Sequence, residues 1–189
     1  MRVFFTASLR GTNEFKNYYK NIYRETENLG YVHLDKEIFA LSSQKYYKSI
    51  ENAGRKAFVD LYNRKMKHLK EADICIFECS LHSLSIGFLI QKALDFNKPT
   101  IVLFLKDHVP HFLAGIEDEK LIVHEYEEKT LNSVLRKCFD DAREKRDKRF
   151  NFFISPRLLT YLEKTSSALG ITKSKFIRGL LIEHMKKFS

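Results

Sequence analysis

The sequence is poor in the residues that mark disulfide-rich scaffolds, membrane spans and low-complexity chains. Its 189 residues include no tryptophan, three cysteines, three prolines and seven glycines. No apolar run approaches the roughly 20 residues that a membrane-spanning helix needs, and the apolar stretch at residues 1–8 is too short for a signal peptide. None of the cysteines lies in a CxxC pair or beside a histidine cluster, so we expect free, buried thiols and predict no metal site.

Common cofactor and hydrolase signatures are also missing. The sequence contains no P-loop, no GxGxxG and no Ser/His/Asp signature, and we therefore predict no cofactor. What it does contain is ample apolar material, at 44% of the residues, with 16 Phe and 9 Tyr. Such a composition is typical of a globular core and argues against a disordered chain. We expect a cytoplasmic protein that does not contact a membrane.

The net charge of +9 is spread unevenly along the chain. From Arg143 onward there are 12 basic and 4 acidic residues, a net charge of +8, whereas the preceding residues carry a net charge of +1. A basic segment on a neutral body indicates a polyanionic partner, and nucleic acid is the first candidate. A solvated helical face is the alternative interpretation of this charge.

The pattern of apolar residues predicts strands that alternate with helices. Strands are predicted at residues 1–7, 31–34, 73–79, 99–105 and 121–124, and helices at residues 12–29, 46–70, 83–96 and 127–148. Alternation of this kind predicts an α/β fold, a Rossmann-like parallel sheet with helices on both faces. Ligands of such sheets bind beyond the carboxyl ends of the strands, so residues 8–12 and 80–87 are the predicted site loops.

The last quarter of the chain has a different pattern, and we place a domain boundary between residues 1–142 and 143–189. Residues 149–154 alternate as a short strand. Ser155 and Pro156 then form a helix start, Gly170 ends that helix, and Thr172 caps a second one. One strand and two short helices cannot bury a core alone, so the strand must pair with that of a second chain.

This layout resembles the ribbon-helix-helix family of the MetJ, Arc and CopG repressors. The resemblance covers residues 148–187 without gaps and implies a homodimer whose paired strands enter the DNA major groove. It places Arg149, Asn151 and Phe153 toward base edges, although Phe153 departs from the family's usual polar residue. It also implies a phosphate site at the start of the second helix, formed by Thr172, Lys173 and Ser174. A dimerisation module that does not bind DNA is the alternative.

Four segments of the N-terminal region, residues 4–11, 72–78, 83–88 and 97–104, resemble the nucleoside 2-deoxyribosyltransferase superfamily. The closest pattern is that of the 2′-deoxynucleoside 5′-phosphate N-hydrolases, over roughly residues 2–140. The resemblance implies cleavage of an N-glycosidic bond with the help of a glutamate. The ligand-binding residues that follow from these segments are Ser8, Arg10, Gly11, Asp73, Ser83, Ser85 and Gly87.

The glutamate of that family is replaced in this sequence. It would lie two residues after Gly87, where the chain has Leu89, and the family's tyrosine in the first strand falls on Phe4. The family's 5′-phosphate serine, expected near residues 112–114, is not evident. Asp73 and Glu78 are the remaining candidates for a catalytic acid.

A cleavage fold without its glutamate, joined to a DNA-binding unit, predicts a regulator. In that hypothesis the first domain, as a degenerate enzyme, senses a nucleotide or nucleoside, the second binds DNA, and both dimerise, which would allow a tetramer. One alternative is an active N-glycosidase, deoxyribosyltransferase or N-hydrolase, whose C-terminal unit only assembles oligomers. The other is an assembly or interaction protein without either activity.

Overall fold

The computed structural model describes residues 1–39, 43–146 and 151–188. The chain divides into two compact units, Met1–Asp147 and Lys148–Ser189. The predicted readout residue Arg149 lies outside the described residues, as does the start of the predicted ribbon strand.

The first unit is built on a five-stranded sheet. Its strands are β1 Arg2–Ala7, β2 Val32–His33, β3 Ile74–Glu78, β4 Thr100–Leu105 and β5 Leu121–Tyr126. The spatial order is β2-β1-β3-β4-β5, and every neighbouring pair is parallel. The prediction of an α/β fold with a parallel sheet is therefore confirmed.

Helices cover both faces of this sheet. They are α1 Lys16–Asn28, α2 Ser43–Glu71, α3 Leu84–Asp95, the short α4 His111–Ala114 and α5 Leu131–Glu144. Side chains of α1 and α5 pack with one face of the central strands, and those of α2 and α3 pack with the other. Strands that are covered on both faces need continuous apolar runs. The sequences of β3 and β4 contain such runs, so both strands could be predicted.

Three helices differ from the prediction. The first helix, α1, begins at Lys16 rather than near residue 12, because a 3₁₀ turn occupies Leu9–Asn13. The last helix of the unit begins at Leu131 rather than near Glu127, because the Thr130 hydroxyl and the Glu127 backbone close a turn at residues 127–130. The long helix α2 is interrupted at Gly54, whose φ of 71° no β-branched or bulky residue would readily adopt. The 3₁₀ turns at Leu9–Asn13 and Glu37–Phe39 connect the strands β1 and β2 to the following helices.

The described part of the second unit, residues 151–188, contains two helices, α6 Pro156–Ala168 and α7 Lys173–Phe188. The Ser155 hydroxyl accepts the first-turn N–H of α6, and Gly170 has a φ of 65° just after its end, as the capping pattern predicts. Residues 151–155 form no strand in this single chain, so the ribbon strand stays a prediction.

No helix among residues 1–39, 43–146 and 151–188 is long and apolar enough to cross a membrane.

Candidate functional site

The candidate site is a pocket of about 530 Å³ in the first unit, at the carboxyl end of β1. Its wall combines the end of β1 (Thr6, Ala7, Ser8), the start of α3 and the inner face of α2. In the strand order β2-β1-β3, the chain runs outward from β1 to β2 and then returns to β3 on the other side. Ligand crevices of open parallel sheets form at such a reversal, so topology and cavity indicate the same place.

Aromatic side chains dominate one wall of the pocket. They come from both halves of α2 and from α3, and they are Tyr46, Tyr47, Phe58, Tyr62 and Phe88. The rings of Tyr62 and Phe88 lie 6.3 Å apart, and both side chains are close to half exposed. Large exposed rings around a cavity suit a flat, partly apolar ligand such as a nucleobase.

A compact network of charges lies beside the aromatic side chains and centres on Glu37 and Lys65, which also line the pocket. Glu37 lies between two cations, with Oε1 at 2.5 Å from Arg64 Nε and Oε2 at 2.6 Å from Lys65 Nζ. Asp35 accepts the same Lys65 ammonium at 3.3 Å and contacts His68 Nδ1 at 2.8 Å. These pairs bind the 3₁₀ turn before α2 to the second half of that helix.

The Glu37 carboxyl group is ionised at neutral pH. Burial opposes its ionisation, but the hydrogen bonds and charges of Lys65 and Arg64 outweigh burial and hold its pKa below the ordinary value. Among the described residues that line the pocket, Glu37 is the one carboxylate and Lys65 the one cation.

The position of the family's glutamate lies on the same pocket but is apolar. Leu89 lines the cavity from the second turn of α3 and is 9% exposed. Phe4 is fully buried beneath the site, with the Lys65 ammonium 5.3 Å from its ring centre. Neither residue can supply a carboxylate or a hydroxyl to a ligand.

Some of the predicted ligand residues line the aromatic pocket, and others do not. Ser8, Ser83 and Ser85 line the aromatic pocket, and the structure brings them together at the ends of β1 and the start of α3. Gly87 instead lines a second, mainly apolar pocket of about 500 Å³ on the other side of residues 83–86. Arg10 is exposed and lines neither cavity.

Gly11 contributes to the site by close packing. A Cβ atom there would clash with the Tyr19 hydroxyl and lie 3.1 Å from the Phe15 ring. Its N–H donates to the Ser8 carbonyl at 3.0 Å. Gly11 therefore fixes the turn that holds Ser8 at the pocket.

Asp73 lies at the wrong edge of the sheet for the role predicted from sequence. It precedes β3, so five residues of strand, roughly 16 Å, separate it from the carboxyl edge. There it accepts the Arg2 backbone N–H at 2.8 Å and pairs with Arg146 at 3.2 Å. These contacts join the start of β1 to the end of the unit, and they give Asp73 a structural function.

Glu78 lies at the correct edge but on the opposite face from Leu89. Strand residues alternate between faces, and Glu78 follows Ile74 and Ile76 toward the α1 and α5 side. It is fully buried. Its Oε1 accepts the Ser80 N–H at 3.2 Å, the Ser80 hydroxyl, and the Tyr126 hydroxyl at 3.3 Å.

This buried glutamate organises the loops at the carboxyl edge. The Ser80 hydroxyl accepts the Leu105 N–H at 2.8 Å, and the Ser80 carbonyl contacts His108 at 3.0 Å. Burial raises the pKa of Glu78 to about 6, although hydrogen bonds from Ser80 and Tyr126 act in the other direction. Its Oε2 has no hydrogen-bond partner among the residues that the structure describes. Glu78 therefore connects β3 to the loop after β4 from beneath the site.

Sequence reasoning did not identify the charge network around Glu37 or the aromatic side chains that line the pocket. Phe58, Tyr62 and Lys65 follow a helical spacing in α2, which signals a shared face but not a ligand. Glu37 lies in a segment without periodicity, and only the tertiary fold brings it against α2. No group of three or more potential metal ligands occurs within the described ranges.

The residues predicted to contact DNA are placed in the second unit as follows. Phe153 is completely exposed and Asn151 is exposed before α6. Thr172 accepts the Lys175 N–H at 3.2 Å as the cap of α7, and Lys173 pairs with Glu163 at 2.9 Å. Ser174 is exposed in the first turn of the same helix.

The known proteins to which this chain is similar are named as N-hydrolases. A Thermofilum pendens protein, named as a candidate 2′-deoxynucleoside 5′-phosphate N-hydrolase 1, is 30% identical over 118 residues, 61% of this chain and 76% of that protein. A Syntrophotalea carbinolica protein of the same name is 27% identical over 104 residues, 55% of this chain and 68% of the relative. The 5-hydroxymethyl-dUMP N-hydrolase of Mus musculus is 24% identical over 142 residues, 73% and 79% of the two chains.

Among solved structures, the CMP N-glycosidase of Clostridium botulinum superposes with a TM-score of 0.51 at 16% identity. The match covers 72% of this chain and 99% of that one. At this identity it supports the fold of the first unit. No protein-family model matches the chain.

Proposed function

The chain belongs to the family of the 2′-deoxynucleoside 5′-phosphate N-hydrolases, and on that premise we propose that its aromatic pocket binds a nucleotide or nucleoside and cleaves the N-glycosidic bond. The observation that carries the proposal is one carboxylate, Glu37, in an aromatic-lined cavity at the ligand-binding edge of the sheet. The base would stack on the rings of α2 and α3, and Ser8, Ser83 and Ser85 would bind the sugar oxygens.

The proposed chemistry requires a negative charge near the anomeric carbon. As the C1′–N bond breaks, the base leaves with the bonding electrons and C1′ gains positive charge. Glu37 is held ionised by Arg64 and Lys65, so its carboxylate would stabilise that charge from a fixed position. Water then adds its oxygen to C1′, and its proton completes the free base, which balances the hydrolysis.

The test is release of free base, followed by chromatography, from deoxynucleotides, ribonucleotides and nucleosides. We expect release by the wild type and a loss of about a hundredfold or more in Glu37→Gln, the scale seen when one preorganised electrostatic group is removed. Glu119→Gln, in an exposed loop, is the matched control. Release that survives Glu37→Gln unchanged would exclude Glu37 as the reacting carboxylate.

Ligand binding without cleavage is the second candidate function. It is favoured by the presence of Leu89 at the position of the family's glutamate. An apolar side chain occupies the pocket where the family has its glutamate. The two cations around Glu37 also neutralise much of its charge. Calorimetric binding of a nucleotide or nucleoside with no released base would establish this sensing function and refute the hydrolase proposal.

For the second unit we propose a homodimer that binds DNA. Its described residues bury only Leu162 and Ser166, whereas ten large apolar side chains are exposed. These are Phe152, Phe153, Leu158, Leu159, Tyr161, Leu169, Leu180, Leu181, Met185 and Phe188. A second copy pairing at residues 149–154 would cover much of this surface.

The DNA proposal is supported by the +8 charge from Arg143 onward and by the start of α7, since the first turn of a helix has N–H groups without an intrahelical acceptor and attracts anions. Arg149, Asn151 and Phe153 are the proposed readout residues. Anisotropy titrations of duplex DNA at several salt concentrations should show affinity falling steeply with salt. Lys173→Ala should lower the salt slope by about one, while Lys16→Ala in α1 should leave it unchanged. An affinity that does not depend on salt would reject DNA binding and leave an assembly function.

If both units act as proposed, a ligand could regulate DNA binding. A ligand that binds one dimer arrangement better would raise the population of that arrangement. The salt titration repeated with and without nucleoside measures this coupling directly, and equal DNA affinities in the two series would exclude it.

A further inference from the structure

Helix α2 carries a concentration of positive charge that the rest of the first unit lacks. It contains eight basic and three acidic residues, whereas the other residues of 1–142 include 13 basic and 17 acidic ones. None of residues 44–64 is buried. The helix therefore presents a basic surface on a body that is otherwise slightly acidic, which is the charge distribution expected of a site for a polyanion.

Four cations of this helix, which we call the α2 cations, are available to a ligand. They are Lys45, Lys48, Arg55 and Lys56, and all four are exposed. Their side chains form no ion pair or hydrogen bond with any residue that the structure describes, whereas Lys65 is paired with Glu37. Each α2 cation lies within three residues of an aromatic residue that lines the pocket. Its long side chain can therefore reach a phosphate beside a base that occupies the pocket.

The same helix exposes aromatic rings beside these cations. Tyr47, Phe58 and Tyr62 line the pocket and are 41%, 49% and 49% exposed. Phe88 of α3 is 44% exposed, and its ring lies 6.3 Å from that of Tyr62. Arg55, Phe58 and Tyr62 are separated by three and four residues, so they share one face of α2. Exposed rings interleaved with cations are typical of surfaces that bind single-stranded nucleic acid, because bases stack on the rings and phosphates contact the cations.

The pocket favours a single strand over other polyanions. A base within a duplex is paired and stacked, so it cannot reach the rings unless it leaves the helix, whereas a base of a single strand is free to enter. An anionic membrane or an acidic protein could contact the cations, but neither has flat aromatic groups to fill a ring-lined cavity of about 530 Å³.

We propose that α2 and the aromatic pocket together bind single-stranded nucleic acid, with one base in the pocket and the neighbouring phosphates on the α2 cations. The inference rests on the proposed function, because it takes the pocket as the site of the base. It extends the substrate from a free nucleotide to a nucleotide within a strand, which keeps its 5′-phosphate. Cleavage there would release the base and add the water oxygen to C1′, which leaves an abasic sugar between intact phosphodiester bonds.

The test is fluorescence anisotropy of the full chain with a single strand of about 15 nucleotides and with the matching duplex, at several salt concentrations. One variant replaces the four α2 cations by alanine, which preserves helix propensity. It should lower the salt slope for the single strand by about three, since each phosphate contact contributes about 0.7. It should leave the slope for the duplex, which we assign to the second unit, unchanged.

Two controls accompany this variant, and circular dichroism confirms that every variant folds. The charge control replaces four exposed lysines outside α2 by alanine and should leave the single-strand slope unchanged. These are Lys16, Lys20, Lys129 and Lys137. Phe58→Ala tests stacking and should weaken single-strand binding about tenfold without changing the slope. Phe112→Ala, which removes an exposed ring outside the aromatic pocket, should have no effect.

The outcomes separate this inference from the proposed function. A single-strand slope that is the same with and without the α2 cations overturns the inference. A change of slope without any effect of Phe58→Ala indicates a general surface for polyanions and overturns base binding. If deoxyadenosine and dAMP bind or lose their base but the single strand does not bind, the inference fails and the proposed function stands. Single-strand binding that depends on both sets of residues, without released base, supports the inference and refutes the hydrolysis.

Discussion

The buried Glu78 should make the stability of the first unit depend on pH in a particular direction. Its pKa is about 6 in the folded chain, against an ordinary value of 4.5. The folded state therefore holds the proton more tightly than the unfolded state between these two values. The free energy of unfolding contributed by Glu78 must then fall as pH rises from 4.5 through 6.

The size of this effect follows from the shift. A pKa that is raised by one and a half units corresponds to a loss of about 2 kcal/mol in the free energy of unfolding. This loss is absent below pH 4.5 and complete above pH 7. Glu78→Gln cannot ionise, and its amide oxygen can still accept from Ser80. The variant should therefore gain about 2 kcal/mol relative to wild type between pH 4 and pH 7.5.

The assay is urea unfolding of wild type and Glu78→Gln at pH 4, 5, 6 and 7.5. Comparison of two variants at each pH cancels every other titrating group, including Glu37, whose lowered pKa acts in the opposite direction. Glu119→Gln is the control for an exposed glutamate. A difference between wild type and Glu78→Gln that stays constant across this range would refute the buried, proton-binding interpretation of Glu78.

Three further predictions concern single contacts. Gly11→Ala should cost about 1–3 kcal/mol by overpacking, measured by urea unfolding, whereas Gly115→Ala, with ordinary space for a Cβ, should cost less. Ser155→Ala should lower the stability of α6 by about 1 kcal/mol and speed amide exchange in its first turn, while Ser155→Asp retains the cap. Ser80→Ala should cost about 1–3 kcal/mol, and more at pH 7.5 than at pH 4, because ionised Glu78 depends on its hydroxyl.

Much of the first unit could be predicted from local pattern. The continuous apolar run at residues 74–77 predicts a strand covered on both faces, and β3, Ile74–Glu78, has that environment. Gly30 predicts the end of α1, and its φ is 84°. These features depend on neighbouring residues alone, so the pattern of a single sequence can predict them.

The site could be predicted only in part because it depends on strand direction and on distant segments. Ser8 follows a strand and reaches the pocket, whereas Asp73 precedes one and lies at the amino edge. The rule that ligands bind at carboxyl ends could have separated these two residues. Glu37 carried no such signal, since its partners Arg64 and Lys65 are more than 25 residues away in sequence.

In the proposed mechanism, catalysis depends on the ion pair between Glu37 and Lys65. With a neutral nucleoside bound, Glu37 and Lys65 remain paired and the pocket is electrically balanced. Positive charge appears at C1′ only as the glycosidic bond breaks, and the apolar wall at Leu89 limits how far water can screen it. Glu37 can then interact more strongly with the transition state than with the ground state, which is the condition for catalysis.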